Sequence, residues 1–199
     1  PSLLEVLEDF NEAMARAGAL LIHYRAHFVG KLAPRAAQIQ RDFSGDREEL
    51  TLSYQTVGTV RNPLGPTVSI YEDLRAHQDS HRRAELEARS CLSGPHKDDL
   101  AAWIDGQPAR QFASQGQTRT AALSLKLAER ELFEDDTGQW PVLLLDDVLS
   151  ELDARRQDFV LDRITGGQVF ITSCEAPAGE ISRGKILHIH QGALVDSPN

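Results

Sequence analysis

This sequence of 199 residues lacks several features that would place it in a specialised class of protein. It has no apolar run near the roughly 18 residues that a membrane-spanning helix requires. No secretory leader is recognisable, because the first residues include Glu5, Glu8 and Asp9. Cysteine occurs only at positions 91 and 174, without the spacing of a metal site, and we interpret both as reduced thiols rather than a disulfide. These absences favour one or two globular domains of a cytosolic protein.

Basic residues are in the minority, with 21 Lys and Arg against 30 Asp and Glu and a formal net charge of −9. This balance repels polyanions over the whole surface and argues against a general binder of the nucleic-acid backbone. The acid is unevenly distributed: residues 134–158 hold eight carboxylates, whereas residues 13–41 hold none. This acid-free stretch is the best candidate for contacting DNA phosphates, through Arg16, Arg25, Lys31, Arg35 and Arg41. The alternative is that these are ordinary solvated positions of a helix.

Residues 1–90 are predicted to form a mostly helical lobe with one strand. Apolar residues recur every three or four positions from Leu3 to Phe28, which predicts an amphipathic helix of about seven turns. The pattern starts without a cap or an initiator Met, so we expect the sequence to be a fragment of a longer chain. Pro34 is expected in the first turn of a second helix over 34–42. Residues 50–57 alternate as in a half-buried strand, and Ser69 to Glu72 form a capping box that starts a helix over about 70–90.

Residues 91–199 show a different pattern. A hairpin is expected at Asp105-Gly106, followed by a helix over about 117–133 and an apolar strand over 142–145. A helix over about 154–164 and strands over 169–172 and 185–190 complete the chain. Apolar strands alternating with helices predict an α/β fold with a largely parallel sheet, in which strand 142–145 is buried on both faces.

Two carboxylates, Asp146 and Asp147, directly follow the predicted strand 142–145. The carboxyl edge of an open parallel sheet is where ligands bind, and adjacent aspartates keep their charge most easily where water or a cation offsets it. One of them could hold Mg²⁺, and its neighbour could orient or deprotonate an attacking water. The alternative is an ordinary turn in which one Asp is exposed. Asp153 is expected to cap the helix that follows it.

A small polar segment, Ser114-Gln115-Gly116-Gln117, precedes the predicted helix 117–133. Its S-x-x-Q spacing fits a capping box, so a purely structural role is the simpler interpretation. A capping box does not account for Gly116, because glycine within a helix costs up to about 1 kcal/mol relative to Ala. Glycine is useful where a ligand approaches the backbone closely, and a helix N-terminus with free N–H groups is suited to binding an anion.

Taken together, these motifs resemble those of a known family. SQGQ at the head of a helix, followed by LLLDDVLSELD, is similar to the signature motif, Walker B motif and D-loop of ABC-type ATPases. With GPHKDDL at 94–100, the segments FASQGQTRTAALSLKLAE and PVLLLDDVLSELD resemble the RecF family, bacterial recombination-repair ATPases related to the heads of SMC proteins. The resemblance covers about 91–195. It implies the C-terminal half of an ABC-type ATPase head, with residues 1–90 as an arm-like lobe. It favours a role near the nucleotide for His96 and Lys97 of GPHKDDL without defining that role, and the alternative is a turn followed by solvated charges.

The resemblance also implies a nucleotide site shared by two subunits. Ser114, Gly116 and Gln117 would meet the γ-phosphate of an ATP bound to the other subunit. Asp146 would be the Walker B ligand of Mg²⁺, and Asp147 the second catalytic carboxylate. The D-loop between the subunits would run from Ser150 to Asp153, and a polar contact through Thr172 or Ser173 would stand where many of these ATPases have a histidine.

The activity implied by the resemblance belongs to the intact protein. It comprises ATP-dependent dimerisation, binding of double-stranded DNA and its junctions with single strands, and assistance to recombinase loading at gaps with RecR and RecO. This would serve DNA replication, recombination, repair and the SOS response in the bacterial cytoplasm, at the nucleoid.

Besides Ser173 or Cys174 at the position of that histidine, which excludes a histidine-based sensor, two departures from the pattern qualify the expected enzyme. The chain has no G-x-x-x-x-G-K-[ST] motif, and its Gly-Lys pairs at 30–31 and 184–185 lack a phosphate-loop setting. We therefore expect this chain alone to be inactive. Asp147 is shorter than the glutamate common at its position, which predicts slow hydrolysis. The alternatives are a head fragment of an SMC-like chromosome protein and a non-catalytic module that binds a protein partner.

Overall fold

A single long helix, α1 (Leu3–Ser44), forms the frame of the first part of the molecule. The computed structural model describes residues 3–56, 59–174 and 184–195. The chain divides into two units, Pro1–Gly138 and Gln139–Asn199, while the predicted separation into lobes 1–90 and 91–199 stays a prediction. Apolar side chains of α1 supply much of the core of the first unit: Ala15, Ala19, Ile22, Ala26, Leu32, Ala36, Ile39 and Phe43.

The predicted break in this helix at Pro34 is wrong, because Pro34 lies inside α1. A proline in a helix interior removes one backbone hydrogen bond and costs about 3 kcal/mol. Leu32 and Ala36 on either side of it are 6% and 0% exposed. Burying an aliphatic side chain contributes about 1.5–3 kcal/mol, so packing along this face offsets the proline and keeps the helix continuous.

Helix α2 (Thr67–Ala88) packs against α1 through Ile70 and Leu74, which join Ala15, Ala19 and Ile22 in one cluster. The predicted helix is present, but it does not begin with a capping box at Ser69. Pro66 is the N-cap, and its carbonyl accepts hydrogen bonds from the N–H groups of Ser69 and Ile70. Proline is compatible with a helix start, so the helix begins before Ser69.

A small antiparallel sheet joins β1 (Leu50–Gln55), β2 (Asp99–Ile104) and β3 (Gln107–Pro108) in that order. In β1, Leu50 and Leu52 are buried whereas Thr51 and Ser53 are exposed, as the alternation predicted. The hairpin between β2 and β3 is confirmed as well. Asp105 and Gly106 have φ values of 52° and 76°, as a two-residue turn of type I′ requires.

The sheet leads through a short helix, α3 (Ala109–Phe112), into α4 (Gln115–Thr137), which packs along α1. The predicted helix 117–133 is confirmed and is longer at both ends. Its buried side chains include Leu123, Leu127 and Leu132. Gly138 ends it in the left-handed conformation, with φ 71°.

In the second unit, β4 (Leu143–Asp146) and β5 (Val169–Thr172) pair in parallel, connected through α5 (Ala154–Arg163). A hairpin of β6 (His188–His190) and β7 (Ala193–Val195) follows. The predicted last strand, 185–190, is therefore shorter than expected. None of the described helices is long and apolar enough to cross a membrane.

The expected burial of strand 142–145 on both faces is wrong. Leu143 and Leu145 are buried, but Leu144 is 70% exposed and its neighbour in the register, Phe170, is 51% exposed. A parallel strand is buried on both faces only where a layer covers each face. In the described residues of this unit, the face that carries Leu144 and Phe170 is open to solvent.

We expect Gly166→Ala to destabilise the chain by about 1–3 kcal/mol, because the added Cβ would overlap the Trp140 ring and force it to move. A Cβ at Gly166 would lie 2.4 Å from Trp140 Nε1 and 2.6 Å from Trp140 Cε2. Urea unfolding of the chain measures the effect. Gly30→Ala is the matched control, because Gly30 lies in α1 with nothing within 4 Å of its added Cβ. The free energy of unfolding of that variant is expected to rise by up to about 1 kcal/mol. An equal change in the free energy of unfolding of both variants would contradict the prediction.

Candidate functional site

The N-terminus of α4 is closed by a reciprocal capping box. Ser114 Oγ accepts the N–H of Gln117 at 3.2 Å, and Gln117 Oε1 accepts the N–H of Ser114 at 2.9 Å. The local spacing therefore folds as the sequence predicts. The cap uses the Ser114 and Gln117 side chains but leaves other N–H groups of the first turn available. Within the described residues, the N–H groups of Gln115 and Gly116 have no partner.

Gly116 is exposed, and a Cβ built on it would have nothing within 4 Å. Packing in the described chain therefore does not require glycine at this position. The turn beneath it is held by hydroxyls, because Thr120 Oγ1 donates to the Gly116 carbonyl at 2.8 Å and Thr118 Oγ1 to the Ser114 carbonyl at 3.1 Å. Sequence reasoning missed these two threonines, and Thr120 is completely buried. The result is an ordered helix end that presents bare backbone to solvent.

The carboxylate pair lies at the carboxyl ends of β4 and β5, where Asp146 and Thr172 are register partners. Thr172 Oγ1 donates to Asp146 Oδ1 at 2.5 Å and accepts the N–H of Asp147 at 3.0 Å. The Asp147 N–H also lies 3.1 Å from the Thr172 carbonyl. One threonine thus fixes both aspartates, and its predicted contact with a nucleotide stays a prediction.

Asp147 adopts φ 52°, in the left-handed region. Such a conformation costs about 1–3 kcal/mol for a residue other than glycine and is concentrated at functional sites. Ser150 Oγ lies 2.8 Å from Asp147 Oδ1 and 2.9 Å from its carbonyl, so its hydroxyl can donate to either. The two carboxylates are therefore held differently: that of Asp146 by Thr172 of the neighbouring strand, and that of Asp147 by Ser150 of the turn that follows.

That turn, Leu149–Glu151, is a single turn of 3₁₀ helix. Asp153 follows as the N-cap of α5, and its Oδ1 accepts the N–H of Arg156 at 3.0 Å. The predicted cap is confirmed. The structure brings Asp146, Asp147, Ser150 and Thr172 together through these bonds, in the second unit, whereas Ser114 to Gln117 belong to the first unit.

Two basic residues of the acid-free stretch form ion pairs with aspartates from elsewhere in the first unit. Lys31 Nζ lies 3.2 Å from Asp136 Oδ1, and Arg35 forms an ion pair with Asp135. Both aspartates lie in the last turns of α4, where the helix dipole disfavours negative charge. The two cations offset that charge, so Lys31 and Arg35 have a local structural function.

The other three basic residues of the stretch also have partners. Arg16 Nε lies 2.5 Å from Glu12 Oε1, Arg25 Nη1 donates to the Pro95 carbonyl at 2.8 Å, and Arg41 Nη2 donates to Gln38 Oε1 at 2.8 Å. Contact of all five cations with DNA stays a prediction, and it requires these partners to be shared or exchanged.

The segment GPHKDDL is anchored to α1 and β1 by hydrogen bonds, and its expected role near the nucleotide stays a prediction. Arg25 bonds to Pro95 as described, and the Tyr54 hydroxyl donates to Asp98. Burial raises the pKa of Tyr54, and the hydrogen bond to Asp98 raises it further. His96 and Lys97 stay exposed at the tip of the segment. The loop therefore connects α1, β1 and β2.

Comparison with known proteins gives consistent relatives. The chain is 40% identical over 164 residues to the DNA replication and repair protein RecF of Symbiobacterium thermophilum, which covers 82% of this chain and 44% of the relative. It is 37% identical over 205 residues to the protein of the same name from Bacillus subtilis, covering 98% and 52%. No family model matches the sequence. The chain spans about half the length of these curated relatives.

Solved structures agree with the sequence comparison. The structure of the recombination mediator protein RecF-ATP in the RecFOR pathway matches with a TM-score of 0.80 and 35% identity, over 96% of this chain and 50% of that one. The corresponding RecF-ATPrS structure matches with a TM-score of 0.80 and 34% identity. The α/β fold with a parallel strand pair and a largely helical lobe is thus that of RecF. Over the part of those proteins that it spans, this chain belongs to the RecF family.

Proposed function

We propose that this chain is part of an ATP-dependent DNA-binding protein of recombinational repair. Its full-length form, meaning the chain together with the other half that its relatives contain, would dimerise on ATP. The observation that carries the proposal is the exposed, glycine-containing N-terminus of α4, in a chain that shares its fold with RecF-ATP. Ser114, Gly116 and Gln117 of one subunit would bind the terminal phosphate of ATP held by the other.

The helix end suits a phosphate for a specific reason. The N–H groups of Gln115 and Gly116 have no partner in the described chain, and the positive end of the helix dipole lies at the same place. A phosphate oxygen can approach Gly116 because no side chain covers the backbone there. The Ser114 hydroxyl, which already accepts from Gln117, has a proton left to donate to an anion.

Asp146 suits Mg²⁺, which would neutralise charge on the phosphates when bound. Asp146 is exposed, and its Oδ1 accepts a hydrogen bond from Thr172 Oγ1. Within the described residues, Asp146 Oδ2 has no hydrogen bond and is available to a metal ion. Those residues contain no group of three or more His, Cys, Asp or Glu arranged for a metal. Mg²⁺ in nucleotide sites is commonly held by one or two carboxylates and the phosphates themselves. Asp147, oriented by Ser150, would accept a proton from the attacking water.

Dimerisation tests the proposal directly. Light scattering of the full-length form should give the mass of a monomer without nucleotide and of a dimer with ATP. The same mass in both conditions, at an ATP concentration that saturates binding, would favour the alternative of a non-catalytic interaction module.

Binding of double-stranded DNA by the acid-free stretch is a separate part of the proposal, as is assistance to recombinase loading at gaps with RecR and RecO. We expect Arg25→Glu combined with Arg35→Glu to flatten the salt dependence of DNA binding by the full-length form. The slope of log affinity against log salt falls by about 0.9 for each DNA phosphate that the protein no longer neutralises, so two such phosphates predict a change of almost two. Fluorescence anisotropy with a DNA duplex at several salt concentrations measures the slope.

The control for this experiment is Arg82→Glu combined with Arg83→Glu, an equal charge change at exposed positions of α2 outside the stretch. It should weaken binding less and leave the slope nearer that of the unmodified protein. Equal slopes for the two double variants would remove residues 13–41 from consideration as a DNA surface.

A further inference from the structure

One side chain outside the 3₁₀ turn holds both ends of that turn. Gln157 Nε2 donates to the Leu149 carbonyl at 2.8 Å and to the Leu152 carbonyl at 3.1 Å. Leu149 begins the turn Leu149–Glu151, and Leu152 directly follows it. A primary amide carries two N–H donors on one nitrogen, so a single glutamine can bond to both carbonyls at once.

The surroundings make these bonds important. Leu149 and Leu152 are 2% and 9% exposed. Leaving a buried polar group without a hydrogen-bond partner destabilises the folded protein, so the backbone that carries the group rearranges to give it another partner. Gln157 itself is half-buried, and its own N–H donates to the Asp153 carbonyl at 2.9 Å. The amide is therefore placed by the first turn of α5 and reaches back over the preceding turn.

The other side of the turn is tied to the carboxylate pair. Ser150 bonds to Asp147, and Thr172 bonds to the N–H of Asp147 and to Asp146. A connected set of hydrogen bonds and one short turn thus links Gln157 to Asp147. Without Gln157, the turn would keep the bond from the Leu152 N–H to the Leu149 carbonyl, at 3.1 Å, the bond from Ser150 at the Asp147 end and the Asp153 cap at the α5 end. The Leu152 carbonyl would lose the Gln157 donor.

We propose that Gln157 is a positioning residue, which fixes the turn from Ser150 to Asp153 and, through Ser150, the orientation of the Asp147 carboxylate. This inference rests on the proposed function, in which Asp147 acts in ATP hydrolysis and the turn lies at the dimer interface. In this proposal, Gln157 affects the orientation of the Asp147 carboxylate toward the attacking water and does not affect the affinity for nucleotide. Its removal should lower kcat while KM for ATP stays nearly constant.

Turnover by the full-length form tests the functional part. Gln157→Leu, which has no donors, and Gln157→Glu, which places a carboxylate against two carbonyls, are each expected to lower kcat about tenfold, as small misplacements of reacting groups do. KM for ATP should change less than about twofold. Gln157→Lys keeps donors on a long side chain and should recover most of the rate. Asp158→Asn, at the adjacent exposed position of α5, should leave it unchanged.

Hydrogen exchange tests the structural part without requiring turnover. In the Leu variant, amides of the segment 149–153 should exchange faster, while those of β4 and β5 keep their protection. Unchanged exchange in 149–153 would overturn the inference whatever the activity. Faster exchange with an unchanged kcat would overturn the link to Asp147. Absence of turnover in the unmodified full-length form would instead refute the proposed function, and exchange would still decide whether Gln157 holds the turn.

Discussion

A Gly116→Asp variant of the full-length form is expected to be at least as stable as the unmodified protein and yet to dimerise on ATP about tenfold more weakly or worse. An aspartate in the first turn of α4 interacts favourably with the helix dipole, by about 0.3–1 kcal/mol. The exposed position has room for the side chain, because nothing lies within 4 Å of a Cβ at Gly116. The same carboxylate would repel a phosphate that approaches the Gln115 and Gly116 N–H groups.

The opposite directions of the two effects distinguish a ligand site from a simple helix cap. Thermal unfolding measures the stability, and sedimentation with ATP measures the dimer dissociation constant, for which a tenfold change corresponds to about 1.4 kcal/mol. Gly116→Ala is the control, since it should also stabilise the helix but adds no charge. If the Asp variant dimerises on ATP as well as the Ala variant does, α4 begins with a structural cap and nothing more.

Asp146→Asn in the full-length form is expected to reduce ATP turnover by about 100-fold or more. The substitution keeps the shape of the side chain and an oxygen that can accept from Thr172 Oγ1, but it removes the negative charge that would hold Mg²⁺. Loss of metal-assisted charge stabilisation corresponds to several kcal/mol at the transition state. Steady-state turnover at several Mg²⁺ concentrations measures the effect, and the variant should need more Mg²⁺ for half-maximal rate.

Asp158→Asn serves as the comparison for this substitution, because it removes the same charge at an exposed position of α5 outside the carboxylate pair and the turn. It should retain most of the turnover. The 199-residue chain alone should show no turnover in the same assay. A rate for Asp146→Asn within about threefold of the unmodified protein, a difference of less than 1.4 kcal/mol at the transition state, would exclude Asp146 as the metal ligand.

Local chemistry was sufficient to predict much of the fold. Ser114 and Gln117 form their capping box because the partners are three residues apart on the same helix turn. Asp105 and Gly106 form a hairpin turn because few residue pairs accept two positive φ values. Asp153 caps α5 for the same local reason. The position of Asp146 at the end of a parallel strand also followed from the sequence, since strand and carboxylate are adjacent in the chain.

Sequence pattern failed where interactions between residues distant in the chain outweighed local preference. Pro34 stays inside α1 because the neighbouring side chains are buried in the core of the first unit. Leu144 is exposed because burial depends on the layer above the strand and not on the strand's own composition. Gln157 looks like any polar position on a helix, and only the fold of the preceding turn gives its amide two carbonyls to bind.

The sequence by itself determined most of the helices and turns, because each of these depends on residues within a few positions of one another. The binding of a phosphate and a cation at the places it indicates stays a prediction. Only the tertiary structure decided how charge is distributed. Lys31 and Arg35 lie in a stretch of the chain without acid, yet in the folded protein they face Asp136 and Asp135, about a hundred residues later. Electrostatic energy depends on distance in space, and chain folding sets that distance.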